Sequence, residues 1–235
     1  MSTPAIAVAF FDPARDVYGT ARSGATLLFD GRRPTIHPQG PSLELDGGRV
    51  RAVLDDRLSL ELEPVSDEAD LDGVTARLCH VRGEVGGRGI DCLGTLSETH
   101  EPPSWEELEL VRSVSALVDD RNAVLALARR PRGARGHGDE RVSAWLLQDG
   151  KLLAVEEARI STVYDGSGRQ RSAGLELWLP GEEFPHRGSG AALAGSSLEL
   201  DELTVHAAVF RWRLDGRDGA GAYELMARAE PPAAA

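Results

Sequence analysis

Apolar residues recur in short runs that mostly alternate with polar ones, and each run is closed by glycine, aspartate or proline. Residues 58–63, Leu-Ser-Leu-Glu-Leu-Glu, show the alternation most cleanly: the leucines face a core while Ser59, Glu61 and Glu63 face water. Residues 6–11 are a compact apolar run stopped at Asp12-Pro13, which predicts a buried first strand. Strands are predicted over 18–22 and 25–29, ending at Asp30-Gly31. Residues 42–45 and 49–54 flank Asp46-Gly47-Gly48, whose glycines admit positive φ and so predict a hairpin. Residues 32–41, with Pro34, Pro38 and Pro41, read as loop or sheet edge, and the acidic residues 66–73 as a solvated connection.

Residues 74–85 break the two-residue period. Val74, Ala76 and Leu78 share one face and Cys79 and Val81 the other, which requires either two covered faces or a bulge. Gly86-Gly87-Arg88-Gly89 turns the chain into a strand over 90–96. At 102–107, Ser104 followed three residues later by Glu107 is a capping-box pattern. From there Trp105, Leu108, Val111, Val114 and Leu117 fit a helical stripe. Leu108, Leu110, Val114, Ala116 and Val118 also fit one strand face, interrupted by Arg112. Val-Arg-Ser-Val-Ser is poor helix material, so one helical turn followed by a strand is the favoured reading.

Beyond residue 119 the pattern is of hairpins, with strands over 123–128, 142–147, 152–164, 172–179, 198–200, 205–214 and 222–228. Residues 129–140, holding Arg129, Arg130, Arg132, Arg135 and His137, read as a mobile basic loop, and the glycine- and proline-rich stretch 180–195 as a long loop. Roughly fourteen to sixteen short strands with no βαβ alternation predict an all-β antiparallel barrel or sandwich. One unit over 1–228 accommodates two similar halves, about 1–100 and 101–228, with a frayed tail at 229–235.

Composition narrows the class of partner. A net charge of −12 argues against nucleic acid and anionic membrane surfaces, which need a basic face. No apolar run approaches the roughly 18 residues of a membrane span. The amino terminus has no basic region ahead of its short apolar run, and Cys79 and Cys92 make no disulfide framework, so a cytoplasmic protein is expected. Cys79, His80, Cys92 and His100 are zinc-ligand types, but adjacent strand residues point to opposite faces and the spacing fits no zinc signature; no metal and no cofactor are expected. No nucleophile elbow or phosphate loop occurs.

Asp91, Glu98 and His100 form the densest polar group and are the candidate acid–base residues, since a carboxylate can hold a histidine in one tautomer near neutral pH. The alternative is a polar loop with a solvated histidine. Trp105, Trp178 and Trp212, with Tyr164, are the candidate walls of an apolar ligand cavity; the alternative is that they fill a core.

Within residues 83–105, Gly94, Glu98, His100 and Trp105 resemble the glycine–carboxylate–histidine–tryptophan segment of the carotenoid hydratase-like proteins (hydroxyneurosporene synthase, AttH-type), and Tyr18-Gly19 resembles that family's opening strand. Cys92 stands where the pattern has its first glycine, its arginine is absent, and no Trp-Gly follows. The resemblance implies a tandem lipocalin-like β fold. It also implies cofactor-independent addition of water to, or isomerisation of, a terpenoid-like double bond, with Asp91 or Glu98 protonating the alkene and aromatic walls steadying the cation. Three functions follow as alternatives: a lipocalin-like protein binding an apolar or terpenoid-like small molecule, a hydratase or isomerase, and a non-catalytic assembly protein. No oligomeric state is implied.

Overall fold

In the computed structural model, which describes residues 5–228, the chain forms two antiparallel sheets. The first holds β1 (Ala5–Asp12), β2 (Val17–Arg22), β3 (Ala25–Asp30), β4 (Arg33–His37), β5 (Ser42–Asp46), β6 (Arg49–Leu54), β7 (Leu58–Pro64), the two-residue β8 (Ala69–Asp70), β9 (Val74–Val85) and β10 (Arg88–Thr99). The second holds β11 (Leu108–Asp119), β12 (Asn122–Pro131), β13 (Arg141–Gln148), β14 (Lys151–Ala154), β15 (Glu157–Tyr164), β16 (Gln170–Trp178), β17 (His186–Leu200), β18 (Leu203–Leu214) and β19 (Arg217–Arg228). Among the described residues the only helical element is a 3-10 turn at His137–Asp139. The tail expected at 229–235 lies outside them.

The strand orders are β4-β3-β2-β1-β10-β9-β7-β6-β5 and β14-β13-β12-β11-β19-β18-β17-β16-β15, with β8 beside β9. Leaving out β8, the two halves have one topology: each half's first strand pairs with both its second and its last. The edge strands of each sheet are consecutive in sequence. Two residues carry the chain from β14 to β15, and Val155 and Glu156 donate to the carbonyls of Ala144 on β13 and Trp178 on β16. A sheet whose far edges are joined by so short a corner must curl almost into a barrel. This corner also divides the single strand expected over 152–164.

Three apolar layers result. Val8, Phe10, Leu58, Leu60, Leu62 and Val81 fill the first half-barrel. Leu175, Leu177, Phe210, Trp212 and Tyr223 fill the second. Ala9, Phe11, Leu78, Val111, Leu117, Leu125 and Val209 form a layer shared by both halves. Strand β1 therefore sends Val8 and Phe10 inward and Ala9 and Phe11 to the shared layer, which is why its sequence is continuously apolar. Strand β9 does the same, with Ala76 and Leu78 in the shared layer and Cys79 and Val81 inside. The broken period at 74–85 thus reflects two covered faces, and its pairing with β10 runs without a register shift. The 66–73 connection is also partly buried: Ala69 and Leu71 reach the shared layer.

The turn at Ser104 stays a single turn. Its carbonyl accepts from the N–H groups of Glu107 and Leu108, both at 3.0 Å, and β11 begins at Leu108. Two predicted loops are corrected. Much of the stretch 180–195 belongs to β17, which starts at His186. Its glycines read as loop, yet they clear space: a Cβ at Gly190 would lie 2.5 Å from the Trp212 ring and 2.8 Å from Phe210. Those two rings stack at 5.1 Å between centroids.

The stretch 129–140 begins as the end of β12 and finishes in a buried charge cluster. Arg112, on the inward face of β11, is fully buried and pairs with Glu140, whose carboxyl is 1% exposed. Glu140 also accepts from Arg130 Nε at 2.9 Å and Nη2 at 2.6 Å. Arg112 Nη1 donates to Thr162 Oγ1 and Tyr223 Oη, each at 2.9 Å, and Nη2 to the Ile160 carbonyl at 3.3 Å. The loop is held because a buried guanidinium requires its carboxylate.

Two stability changes are expected. Gly190→Ala should cost about 1–3 kcal/mol, the usual penalty of overpacking. Gly89→Ala, where a Cβ meets nothing within 4 Å, should be near neutral in the same thermal melts. Arg112→Met should cost about 3 kcal/mol by removing one of the two guanidinium groups on the buried Glu140 carboxylate, and adding Glu140→Gln should recover part of it. Urea titrations of the two single variants and the double variant measure that coupling; simple additivity would contradict it.

Candidate functional site between the halves

Four strands that contribute to the shared layer carry the site, β1 and β10 from the first half and β11 and β19 from the second. Their registers set side chains in rungs two residues apart. Ala7 pairs with Ser97, and Ser113 with Glu224. One rung on, Ala9 pairs with Thr95 and Ser115 stands opposite Ala222, whose N–H donates to Ser115 Oγ at 3.0 Å. On the third rung Phe11 pairs with Leu93, and Leu117 with Ala220. The first two rungs line a cavity of about 90 Å³ between the halves, roofed by Leu71 and flanked by Thr20 and Arg22 of β2.

Glu224 and Arg22 are the charged groups of this cavity, and Glu224 is 6% exposed. Its Oε2 forms an ion pair with Arg22 Nη2, so the carboxylate comes from one half and the guanidinium from the other. Among the described residues its Oε1 accepts no hydrogen bond. Arg22 Nη1 also lies 3.5 Å from Met226 Sδ. Hydroxyls of Thr20, Thr95, Ser97, Ser113 and Ser115 complete the polar lining. The roof is latched to the second half: Trp145 Nε1 donates to the Asp70 carbonyl at 2.7 Å, and Arg129 Nη1 to Asp72 Oδ2 at 2.7 Å. The arrangement offers a buried carboxylate, held on one oxygen by a guanidinium, on the wall of a cavity that also carries five hydroxyls.

The residues singled out in the sequence are placed as follows. Asp91 is exposed on β10, 3.4 Å from Arg82 Nε, and borders an open groove between the halves. Glu98 is half-buried and follows Ser97; because side chains alternate along a strand, Ser97 rather than Glu98 reaches the cavity. His100 is exposed just beyond β10, its Nε2 3.0 Å from Thr75 Oγ1. Trp105 packs against the edge of the shared layer. Trp212 is buried inside the second half-barrel, Trp178 lies under the Arg159 guanidinium at 4.9 Å on an outer face, and Tyr164 is half-buried at the end of β15. The structure brings none of these seven onto the cavity lining.

Burial raises the thiols of Cys79 and Cys92 to about 12, so both sit as neutral apolar groups. Among the described residues no three His, Cys, Asp or Glu side chains converge as a metal site, and no helix is long and apolar enough to cross a membrane. Sequence reasoning passed over Glu224, Arg22, Ser113 and Ser115. The available signal was a polar residue on an apolar strand face: Glu224 between Ala222 and Met226, Ser113 and Ser115 between Val111 and Leu117.

No family model matches the chain, and no curated protein sequence does. Solved structures do. A protein of Nitrosomonas europaea described as an AttH superposes with a TM-score of 0.63 at 14% identity, covering 95% of this chain and 91% of that one. Kievitone hydratase from Nectria haematococca superposes with a TM-score of 0.59 at 7% identity, covering 97% and 89%. The likeness to AttH-type proteins seen in residues 83–105 therefore holds at the level of the fold: the chain has the architecture of these two proteins, two curled antiparallel half-barrels in tandem.

Proposed function

We propose that the protein binds a largely apolar small molecule between its halves and that Glu224 moves a proton on it, a hydratase- or isomerase-type reaction without a cofactor. The observation that carries this reading is the buried Glu224 carboxylate on the cavity wall, with Arg22 on one oxygen and, among the described residues, no hydrogen-bond donor at the other. As the anionic member of an ion pair, Glu224 is a base. It takes a proton from a water attacking one carbon of a polarised double bond, or from a carbon beside that bond, and delivers it to the double-bond carbon that receives the displaced electron pair, so the product forms neutral and the enzyme ends each turnover unchanged. Arg22 fixes the carboxylate's orientation, and Ser113 and Ser115 are placed to hold a polar substituent or the water. Kievitone hydratase, which shares the fold, is by name a catalyst of hydration, in keeping with this reading.

Glu224→Gln keeps the shape of the side chain and removes the base. Incubation with a panel of isoprenoid alcohols in heavy water, followed by mass spectrometry, should show deuterium entering the recovered alcohol or its product. The variant should lower the rate by at least roughly 100-fold, the scale of lost general-base catalysis. It leaves the Arg22 guanidinium without its carboxylate, so stability should fall by about 1–3 kcal/mol while the thermal transition stays cooperative. Undiminished deuterium incorporation by Glu224→Gln would sink the assignment.

A further inference from the structure

We infer that the mouth of the first half-barrel is a second binding site, and that it takes the phosphate group of a small, water-soluble phosphate ester. The site is separate from Glu224 and stands whether or not the reading given above does. Three hairpin turns meet there, β3 to β4, β6 to β7 and β9 to β10, and with β4 they border an open groove of about 660 Å³. That is the scale of a small-molecule site, and the mouth of a barrel is a usual place for one. Thr35 stands opposite Leu28 of β3, which packs on the interior of the half-barrel, and His37 shares the face of Thr35. Val17 and Val85 on the groove floor are 1% and 4% exposed, so a ligand rests on the mouth rather than inside the packed barrel.

The polar lining is rich in donors. His37 Nδ1 lies 3.2 Å from Arg57 Nη1. A guanidinium can only donate, so Nδ1 accepts and the neutral ring carries its proton on Nε2. Burial, and after it the Arg57 charge, lowers His37 below the ordinary histidine value, in keeping with a neutral ring. Arg57 has this uncharged partner and, among the described residues, no carboxylate within ion-pair distance. Such a guanidinium stands out in a chain with 38 acidic residues against 26 basic ones. Its turn is held in place, because the Gly86 N–H donates to the Arg57 carbonyl at 2.8 Å. Gly86 and Gly87 have φ of 56° and 76°, and nothing lies within 4 Å of where a Cβ would be, so bare backbone borders the groove there. Arg88 and the Thr35 hydroxyl add donors from two further elements. Two carboxylates share the lining: Asp30 is taken up by Arg88 at 3.0 Å, and Asp56 adjoins Arg57. Donors arriving from four separate elements suit a tetrahedral oxyanion, with acceptor oxygens in several directions, better than a planar carboxylate. A phosphate on Arg57 and His37 Nε2–H supplies the anion that this pair lacks, and the rest of the groove leaves room for the body of the ester.

The test follows the histidine ring signals by NMR at fixed pH and ionic strength while inorganic phosphate, glycerol 3-phosphate or acetate is added. Only six histidines are present, and His37→Gln identifies the signal that matters. That signal should shift saturably with both phosphates and much less with acetate. Arg57→Gln should weaken inorganic phosphate by at least about tenfold, the scale of a lost hydrogen bond to a charged group. Asp56→Asn should tighten it by roughly two- to fivefold, since a repelling charge is removed from an exposed site. Both side chains are exposed, so both variants should fold, and their thermal melts check this. A His37 signal unmoved by inorganic phosphate, an equal response to acetate, or an unchanged affinity in Arg57→Gln would overturn the site. Sedimentation with phosphatidic acid vesicles, with no response to glycerol 3-phosphate, would overturn the soluble ester in favour of a lipid headgroup.

Discussion

Everything in this molecule depends on one constraint: four strands, β1, β10, β11 and β19, must be covered on both faces at once. Each belongs to a half-barrel whose interior claims one face, and the packing of the two half-barrels claims the other. A strand in that position has little room for a polar side chain, because an unsatisfied buried polar group costs on the order of 1–3 kcal/mol. The polar groups found there are consequently informative. On the shared face they are Ser97, Thr95, Ser113, Ser115 and Glu224, and together they line one cavity. On the inward face of β11 there is Arg112, held in its own network.

Those two polar groups stand back to back. Arg112 precedes Ser113 on β11, and Tyr223 precedes Glu224 on β19, while Arg112 and Tyr223 are joined by a 2.9 Å hydrogen bond. Burial raises the Tyr223 phenol above its ordinary value, which keeps it a neutral partner to Thr162 and Arg112. The network inside the second half-barrel thereby ties β11 to β19 at the rung that presents Ser113 and Glu224 on the opposite side. Where the backbone ladder between these strands thins, at Ser115, the hydroxyl takes over by accepting from the Ala222 N–H. A side chain carried on such a support has little freedom to drift, which is what positioning a proton acceptor requires.

How much of this was legible in the chain follows from which interactions are local. Hairpins such as the one at Asp46-Gly47-Gly48 are written in adjacent residues, and Gly47 and Gly48 do take positive φ. The doubly buried first strand was legible too, as an unbroken apolar run. Arg112 already stood out as a charge on an apolar face. The closures of the two sheets were not legible, because they join residues as distant as Ala7 and Ser97. Without that pairing, nothing decides which of Ser97 and Glu98 faces the shared layer. The cavity's polar groups are spread singly over several strands, so no dense local motif marks them. The glycines of β17 misled for a different reason. Glycine signals a turn when only its neighbours in sequence are known, and Gly190 is explained only by the Trp212 ring that packs on it.

The common topology of the halves bears on how such a site can arise. Register places Arg22 beside Ala7 just as Leu127 lies beside Ser113, and Ser97 beside Ala7 just as Glu224 lies beside Ser113. All six line the same cavity. They occupy matched positions of the common topology, Arg22 with Leu127, Ser97 with Glu224, Ala7 with Ser113. Two units with one strand order need not carry one set of side chains. One holds Ser97 where the other holds Glu224, and Arg22 where the other holds Leu127, so the carboxylate between them meets a guanidinium rather than its own copy.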